Sequence, residues 1–112
     1  MSSLTRRGAL MLGAAMTLTL VAVDDGMATP AEADAEIANM LNKAVVCTSC
    51  HLAQFQGDSS VPRLADQERD YLFKTMMDFR NHTRGNNPGM SAFMNVGTSD
   101  QLAAMASYLA GL

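Results

Sequence analysis

Tryptophan is absent from this 112-residue chain, and aromatic side chains make up only 5% of it. Leucine, alanine and the ten methionines must therefore fill any core, unless a group that is not protein contributes to it. The eight Lys and Arg residues form no basic cluster and are outnumbered by eleven Asp and Glu, which argues against nucleic-acid binding. Alternation of apolar and polar residues is also lacking, so the sequence predicts an all-α fold without strands.

Long hydrophobic runs are limited to one near the N-terminus. Residues 8–23 are uncharged and mostly apolar, but these sixteen residues are fewer than the roughly 20 that span a bilayer comfortably. Two arginines precede the run, and small residues at 26 and 28 follow it. This order is typical of a secretory signal peptide over 1–28, followed by a mature domain over 29–112. An uncleaved anchor is the alternative, and only in that case do we expect membrane association.

Three segments of the mature domain have the apolar spacing of α-helices. They cover about 33–46, 66–79 and 98–112, after a short frayed leader over 29–35. The apolar stripes predicted for the first and last helices consist of Ala33, Ile37, Met40, Leu41, Ala44 and Val45, and of Leu102, Met105, Ala106 and Leu109, respectively. Asp66 is the predicted N-cap of the second helix. Two loops of about 12 and 18 residues separate the helices. Loops of that length in so small a domain usually surround a ligand or carry a function.

Both cysteines lie in the segment CTSCH, residues 47–51, together with one of the two histidines. A redox dithiol is one interpretation, but such a motif is expected beside a strand–helix unit, which the sequence does not predict. Zinc is a second, with ligands drawn from Cys47, Cys50, His51 and His82. Adjacent Cys50 and His51 would then have to converge on one ion, and no second C-x-x-C completes the site.

Covalent attachment of haem is the third interpretation, and C-x-x-C-H is its sequence signature. The thiols of Cys47 and Cys50, one helical turn apart, can add to the two vinyl groups at one edge of a porphyrin. His51 directly behind them can offer Nε2 to the iron. The sequence therefore predicts one covalently attached haem c, with His51 as an axial ligand. Met90, Met94 and His82 are the candidates for the opposite face.

Four segments, in this order along the chain, resemble those of the class I c-type cytochromes. They are KAVVCTSCH, VPRLADQERDYL, DFRNHTR and TSDQLAAMASYLAGL. The likeness is greatest to the single-haem units of bacterial dihaem cytochromes and of flavocytochrome c haem subunits, and it covers most of 29–112. It implies the small cytochrome c fold, with about three main helices and long loops wrapped around one covalently bound haem.

The same resemblance implies roles for particular residues. Met90 lies eight residues before Thr98, the position of the family's methionine ligand, so it is the expected second axial ligand. Met94 is the less favoured alternative. The carbonyl of Pro62 is expected to accept a hydrogen bond from Nδ1 of His51, which would fix the imidazole behind the metal.

The function that the resemblance implies is periplasmic electron transfer, by a protein that is not itself an enzyme. One His/Met-ligated c-type haem would cycle between Fe(II) and Fe(III), with redox proteins as donor and acceptor. A haem subunit of a multi-subunit oxidoreductase, such as a flavocytochrome c sulfide dehydrogenase with a flavoprotein subunit, is the alternative. A ligand sensor or haem enzyme with an open coordination site is a third hypothesis. The chain departs from the family pattern at Leu52, Asp66 and His82, where Gly is common.

Overall fold

The computed structural model describes residues 13–15 and 26–112. Over these ranges the chain forms α-helices and no strand, which confirms the all-α prediction. The helices are α1 (Pro30–Val45), α2 (Thr48–His51), α3 (Arg69–Arg80), α4 (Pro88–Met94) and α5 (Ser99–Ala110). Helices α1, α3 and α5 are the three main helices of the predicted small cytochrome c fold.

The predicted signal peptide over 1–28 lies mostly outside the described residues, which include only 13–15 and 26–28 of it. In the part of the chain that is described, no helix has both the length and the apolar character needed to cross a bilayer.

Helix α1 begins earlier than its apolar pattern predicts. Thr29 is the N-cap, its side chain accepts from the backbone N–H of Glu32, and the Glu32 carboxylate accepts from the backbone N–H of Thr29. Pro30 occupies the first helical position, where its missing N–H costs nothing. The prediction of a frayed leader over 29–35 was therefore wrong, because this reciprocal capping starts the helix three residues before the first apolar position.

The core lies where α1 packs against α5, and α3 packs against α5 from another side. On α5 the predicted apolar stripe is confirmed: Leu102, Met105, Ala106 and Leu109 are all buried. The stripe predicted for α1 is only partly correct. Leu41 and Val45 are buried, whereas Met40 is 53% exposed and the fully buried Ala38 was not part of the prediction.

Helix α3 begins at Arg69, not at Asp66 as predicted. Glu68 is the N-cap, and its carboxylate accepts from the backbone N–H groups of Asp70 and Tyr71. Asp66 instead has a left-handed backbone with a φ of 60°, and its N–H donates to the carbonyl of Leu109 at 2.9 Å. This bond to the end of α5 holds the 66 position outside the helix.

The second predicted loop contains a helix that the prediction missed. Helix α4 interrupts it, with Asn87 as N-cap and Pro88 at the first helical position. The Asn87 side chain accepts from the backbone N–H of Met90 at 3.2 Å. At its other end, the side-chain amide of Asn95 donates to the carbonyls of Ser91 and Arg80, which ties α4 to the end of α3.

Candidate functional site

Helix α2 places both cysteines and His51 on one turn. Val46, with a φ of 53°, ends α1 in a left-handed conformation and turns the chain into the short helix. The N–H of His51 then donates to the carbonyl of Cys47 at 2.9 Å. The backbone N–H of Thr48 donates to the side chain of Asn42 on α1. The CTSCH segment, residues 47–51, is thus fixed to the last turn of the first main helix.

The two thiols differ in their surroundings. Cys50 is exposed, whereas Cys47 is half-buried and packs against the core. Burial raises the pKa of the Cys47 thiol above its ordinary value of 9.0, against a smaller opposing effect of a backbone hydrogen bond. A redox dithiol relies on a thiol whose pKa is lowered. Cys47 therefore lacks the lowered thiol pKa that is typical of a redox-active cysteine.

His51 is buried, with 7% of its surface exposed, and its ring is held on one side by the loop that follows. Nδ1 lies 2.8 Å from the carbonyl oxygen of Pro62, the contact that the resemblance implies. A carbonyl can only accept, so Nδ1 carries the proton, and the lone pair of the neutral ring lies on Nε2. Among the described residues no group hydrogen-bonds to Nε2. This tautomer leaves Nε2 available as a metal ligand.

The donor set fits haem better than zinc. No group of three or more Cys, His, Asp or Glu side chains within 13–15 and 26–112 is arranged to hold a metal ion by itself. Haem needs fewer protein ligands, because the porphyrin supplies four nitrogens to the iron. Two thiols on one turn, followed by an imidazole in the Nε2-donor form, meet that requirement.

The candidate ligands for the opposite face occupy different environments. Met90 lies in the first turn of α4, partly buried at the margin of the core cluster. Met94 is 4% exposed and belongs to the cluster itself. His82 is exposed in the turn after α3, with a φ of 59°. The ligand assignment to Met90 stays a prediction, and the packing of Met94 is that of a core side chain.

All three departures from the family pattern coincide with unusual backbone geometry. Leu52 has a φ of 69° and a ψ of 167°, Asp66 has a φ of 60°, and His82 has a φ of 59°. These conformations favour glycine. The chain therefore keeps the backbone path that glycine would take, with larger residues at all three positions.

The turn from Gly57 to Val61 contributes to the site, although its residue types predicted only a loop. Gly57 has a φ of 63° and approaches the backbone of 61–63 closely, and the Asp58 side chain accepts several hydrogen bonds from the same turn. The Gly-Asp-Ser-Ser run predicts a turn. The family resemblance implied the contact between Pro62 and His51, but not that this turn would position Pro62.

Comparison with known proteins finds a similarity to a c-type cytochrome. Cytochrome c4 of Azotobacter vinelandii is 34% identical to the chain over 71 residues, which cover 59% of this chain and 34% of that protein. The chain thus spans about a third of the length of this relative. No protein-family profile matches the chain, and no solved structure matches it. By sequence, then, the chain is similar to a c-type cytochrome, in agreement with its C-x-x-C-H segment and its all-helical fold.

Proposed function

We propose that this chain is an electron-transfer protein of the c-type cytochrome kind, which carries one covalently attached haem. The observation that supports this most strongly is the attachment turn. It combines two cysteines with a histidine whose Nδ1 is bonded to the Pro62 carbonyl, so that Nε2 is free to bind a metal. When bound, haem supplies an iron that changes between Fe(II) and Fe(III).

Each residue of the attachment turn has a separate task in this proposal. Cys47 and Cys50 hold the porphyrin by thioether bonds, so that it stays bound in either oxidation state. His51 donates Nε2 to the iron. The Pro62 carbonyl fixes the ring orientation and increases the donor strength of the imidazole. Because the ring is held from behind, little of the protein needs to rearrange when an electron is gained or lost.

We propose Met90 as the second axial ligand. Its helix is anchored at both ends, by the Asn87 cap and by the Asn95 side chain, and its own side chain is only partly committed to the core. A thioether raises the reduction potential relative to a second imidazole. With both axial positions filled, the iron has no site for a substrate, which suits a carrier and not an enzyme.

The proposed route for electrons is the exposed edge at the attachment turn. Cys50 is exposed there, and the adjacent Val46 is 50% exposed, so a partner can approach the porphyrin edge closely. We propose that redox proteins dock on this edge through small, transient interfaces. Export to the periplasm is part of the proposal, because the N-terminal segment reads as a signal peptide and c-type haem attachment takes place outside the cytoplasm.

The experiment that tests this function is a redox titration of the protein exported together with haem-maturation machinery. We expect a reversible one-electron change, and no binding of carbon monoxide by the ferrous protein at neutral pH. Binding of carbon monoxide by the wild-type protein would instead indicate an open coordination site, as in a sensor or a haem enzyme. Isolation in fixed stoichiometry with a flavoprotein, in place of a monomer in gel filtration, would favour the oxidoreductase-subunit alternative.

A further inference from the structure

The position of the Pro62 carbonyl depends on its neighbours in the loop. Proline has no backbone N–H and therefore cannot be anchored through a donor of its own. After Pro62, the side-chain amide of Gln67 donates to the carbonyl of Arg63, and Nε of Arg63 donates to the carbonyl of Ala65. Before Pro62, the chain is fixed by the turn formed by residues 57–61.

Gly57 connects this turn to the backbone of His51. Its N–H donates to the His51 carbonyl at 3.0 Å. A Cβ at this position would lie 2.4 Å from the Val61 carbonyl oxygen and 2.6 Å from the Pro62 carbonyl carbon. Two backbone segments therefore pass each other here at a distance that only glycine permits.

Asp58 closes the turn. One carboxylate oxygen, Oδ1, accepts from the backbone N–H of Ser60 at 2.8 Å, from the Ser60 hydroxyl at 3.0 Å and from the backbone N–H of Val61 at 2.9 Å. The backbone N–H of Asp58 also donates to the Val61 carbonyl at 2.8 Å. In the described part of the chain the carboxylate makes no salt bridge, so its contacts are those of a turn-forming side chain.

We propose that Asp58 is a positioning residue for the His51 imidazole. It acts through Val61 and Pro62: the carboxylate fixes the turn, and the turn directs the Pro62 carbonyl at Nδ1. This inference rests on the proposed function in one respect, namely that His51 binds the haem iron. A shorter and better-directed Nδ1–H···O bond makes the imidazole a stronger donor, which favours Fe(III). Loosening the turn therefore weakens the donor and raises the reduction potential.

The test compares Asp58→Ala with Asp58→Asn in the haem-loaded protein. Asparagine keeps an Oδ1 acceptor without the charge, whereas alanine removes the acceptor. We expect Asp58→Ala to raise the reduction potential, so that at a fixed applied potential the ratio of reduced to oxidised protein increases several-fold. We also expect faster hydrogen exchange of the His51 Nδ1–H, measured by NMR on the reduced protein. Asp58→Asn should retain most of the wild-type behaviour in both measurements.

Two further variants guard against ambiguous results. Ser60→Ala removes one of the three hydrogen bonds to Asp58. It should therefore raise the reduction potential and speed the Nδ1–H exchange by smaller amounts than Asp58→Ala does. This variant replaces Asp58→Ala in the test if Asp58→Ala does not fold. Ser59 lies in the same exposed turn, and its side chain makes no hydrogen bond to any of the described residues. Ser59→Ala should therefore change neither the reduction potential nor the Nδ1–H exchange.

Three results separate the possible failures. If Asp58→Asn shifts the potential as far as Asp58→Ala, the effect is one of charge and the positioning role is overturned. If Asp58→Ala and Ser60→Ala leave the Nδ1–H exchange and the potential unchanged, the role is likewise overturned, while the proposed function stands. A wild-type protein without covalent haem would instead refute the proposed function before any variant is compared.

Discussion

Leu52, next to the site, has a strained backbone conformation that lowers the stability of the fold. It directly follows His51, and its φ of 69° and ψ of 167° lie in a region that side chains with a Cβ rarely occupy. Residues held in such conformations cost on the order of 1–3 kcal/mol. Leu52 remains there because the residues on either side are fixed, by α2 before it and by the bond from Phe55 N–H to its own carbonyl after it.

Replacing Leu52 with glycine should therefore stabilise the protein. We expect Leu52→Gly to increase the free energy of unfolding by about 1 kcal/mol, after the loss of a partly buried side chain offsets part of the relieved strain. Urea denaturation of the haem-loaded protein measures this. Leu52→Ala is the matched control, because it loses the side chain but keeps the Cβ, and it should lower stability. Equal destabilisation by both variants would show that the position is not strained.

The hydrogen bonds of Asp58 also predict how the free energy of unfolding depends on pH. Hydrogen bonds from the backbone N–H of Ser60, the backbone N–H of Val61 and the Ser60 hydroxyl hold the pKa of its carboxyl below the ordinary value of 3.8. The folded state thus binds its proton less readily than the unfolded state. The contribution of the carboxylate is fully present above pH 3.8, and it is lost as the pH falls through the lower folded-state pKa.

Urea denaturation of wild type and Asp58→Asn over a series of acidic pH values checks this expectation. Below the unfolded-state pKa, wild type should lose stability more steeply than the asparagine variant, which has no proton to bind at this position. The other acid-sensitive groups are common to both proteins and cancel in the difference. Parallel pH profiles would contradict the assigned hydrogen bonds.

At the scale of elements, α4 is the piece of structure that matters most for the second axial ligand. The helix packs against α3, and the Asn95 side chain joins the two by bonds to Ser91 and Arg80. Met94, on its last turn, enters the core, while Met90 in its first turn is left at the margin. The two methionines therefore separate into a packing residue and a ligand candidate.

Alanine substitutions should resolve the two roles. Met94→Ala leaves a cavity and should lower the free energy of unfolding by about 2–4 kcal/mol, with the weak long-wavelength sulfur-to-iron absorption band retained. Met90→Ala should abolish that band, lower the reduction potential and create carbon monoxide binding in the ferrous protein. Met40→Ala is the stability control, since this methionine is 53% exposed and its loss should cost less than about 0.5 kcal/mol. Loss of the band in Met94→Ala alone would transfer the ligand role to that residue.

The helices also show which parts of the structure the sequence could predict. The α5 stripe was predicted in full because four apolar residues at helical spacing follow a Thr cap. The start of α3 was predicted wrongly because Asp66 and Glu68 are both possible N-caps, and Asp is the more usual N-cap residue. In the structure the bond from Asp66 N–H to the Leu109 carbonyl keeps Asp66 outside the helix, so that Glu68 caps it. Helix α4 was missed because seven residues are too few for a clear periodicity, although the Asn-Pro pair at 87–88 was a usable signal.

Over the whole molecule, the functional site is harder to predict than the helices. The candidate attachment turn is visible in the sequence because Cys47, Cys50 and His51 lie within five consecutive positions. The Pro62 contact joins residues eleven positions apart, and only the family resemblance implied it. The turn that directs Pro62 depends on a close approach of two backbone segments at Gly57, and residue types alone do not reveal which segments will meet.

Small domains with few aromatic residues have little apolar surface from which to build a core. Among the residues that the structure describes, the buried apolar side chains include two aromatic ones, Phe55 and Phe79, and the others are Ala, Leu, Val and Met. A domain of this size usually needs an additional stabilising element. A covalently bound haem would meet that need, so we expect the proposed cofactor to stabilise the fold as well as to carry electrons.

Covalent attachment of haem to Cys47 and Cys50 is the property on which the proposed function depends, and an intact mass measurement of the denatured exported protein tests this attachment. We expect the mass of the polypeptide plus one haem, with the pigment retained by the protein after extraction in acidified organic solvent. The Cys47→Ala, Cys50→Ala double variant should lose the added mass. A wild-type chain that folds without pigment, or that releases all of its haem to the solvent, would contradict the account.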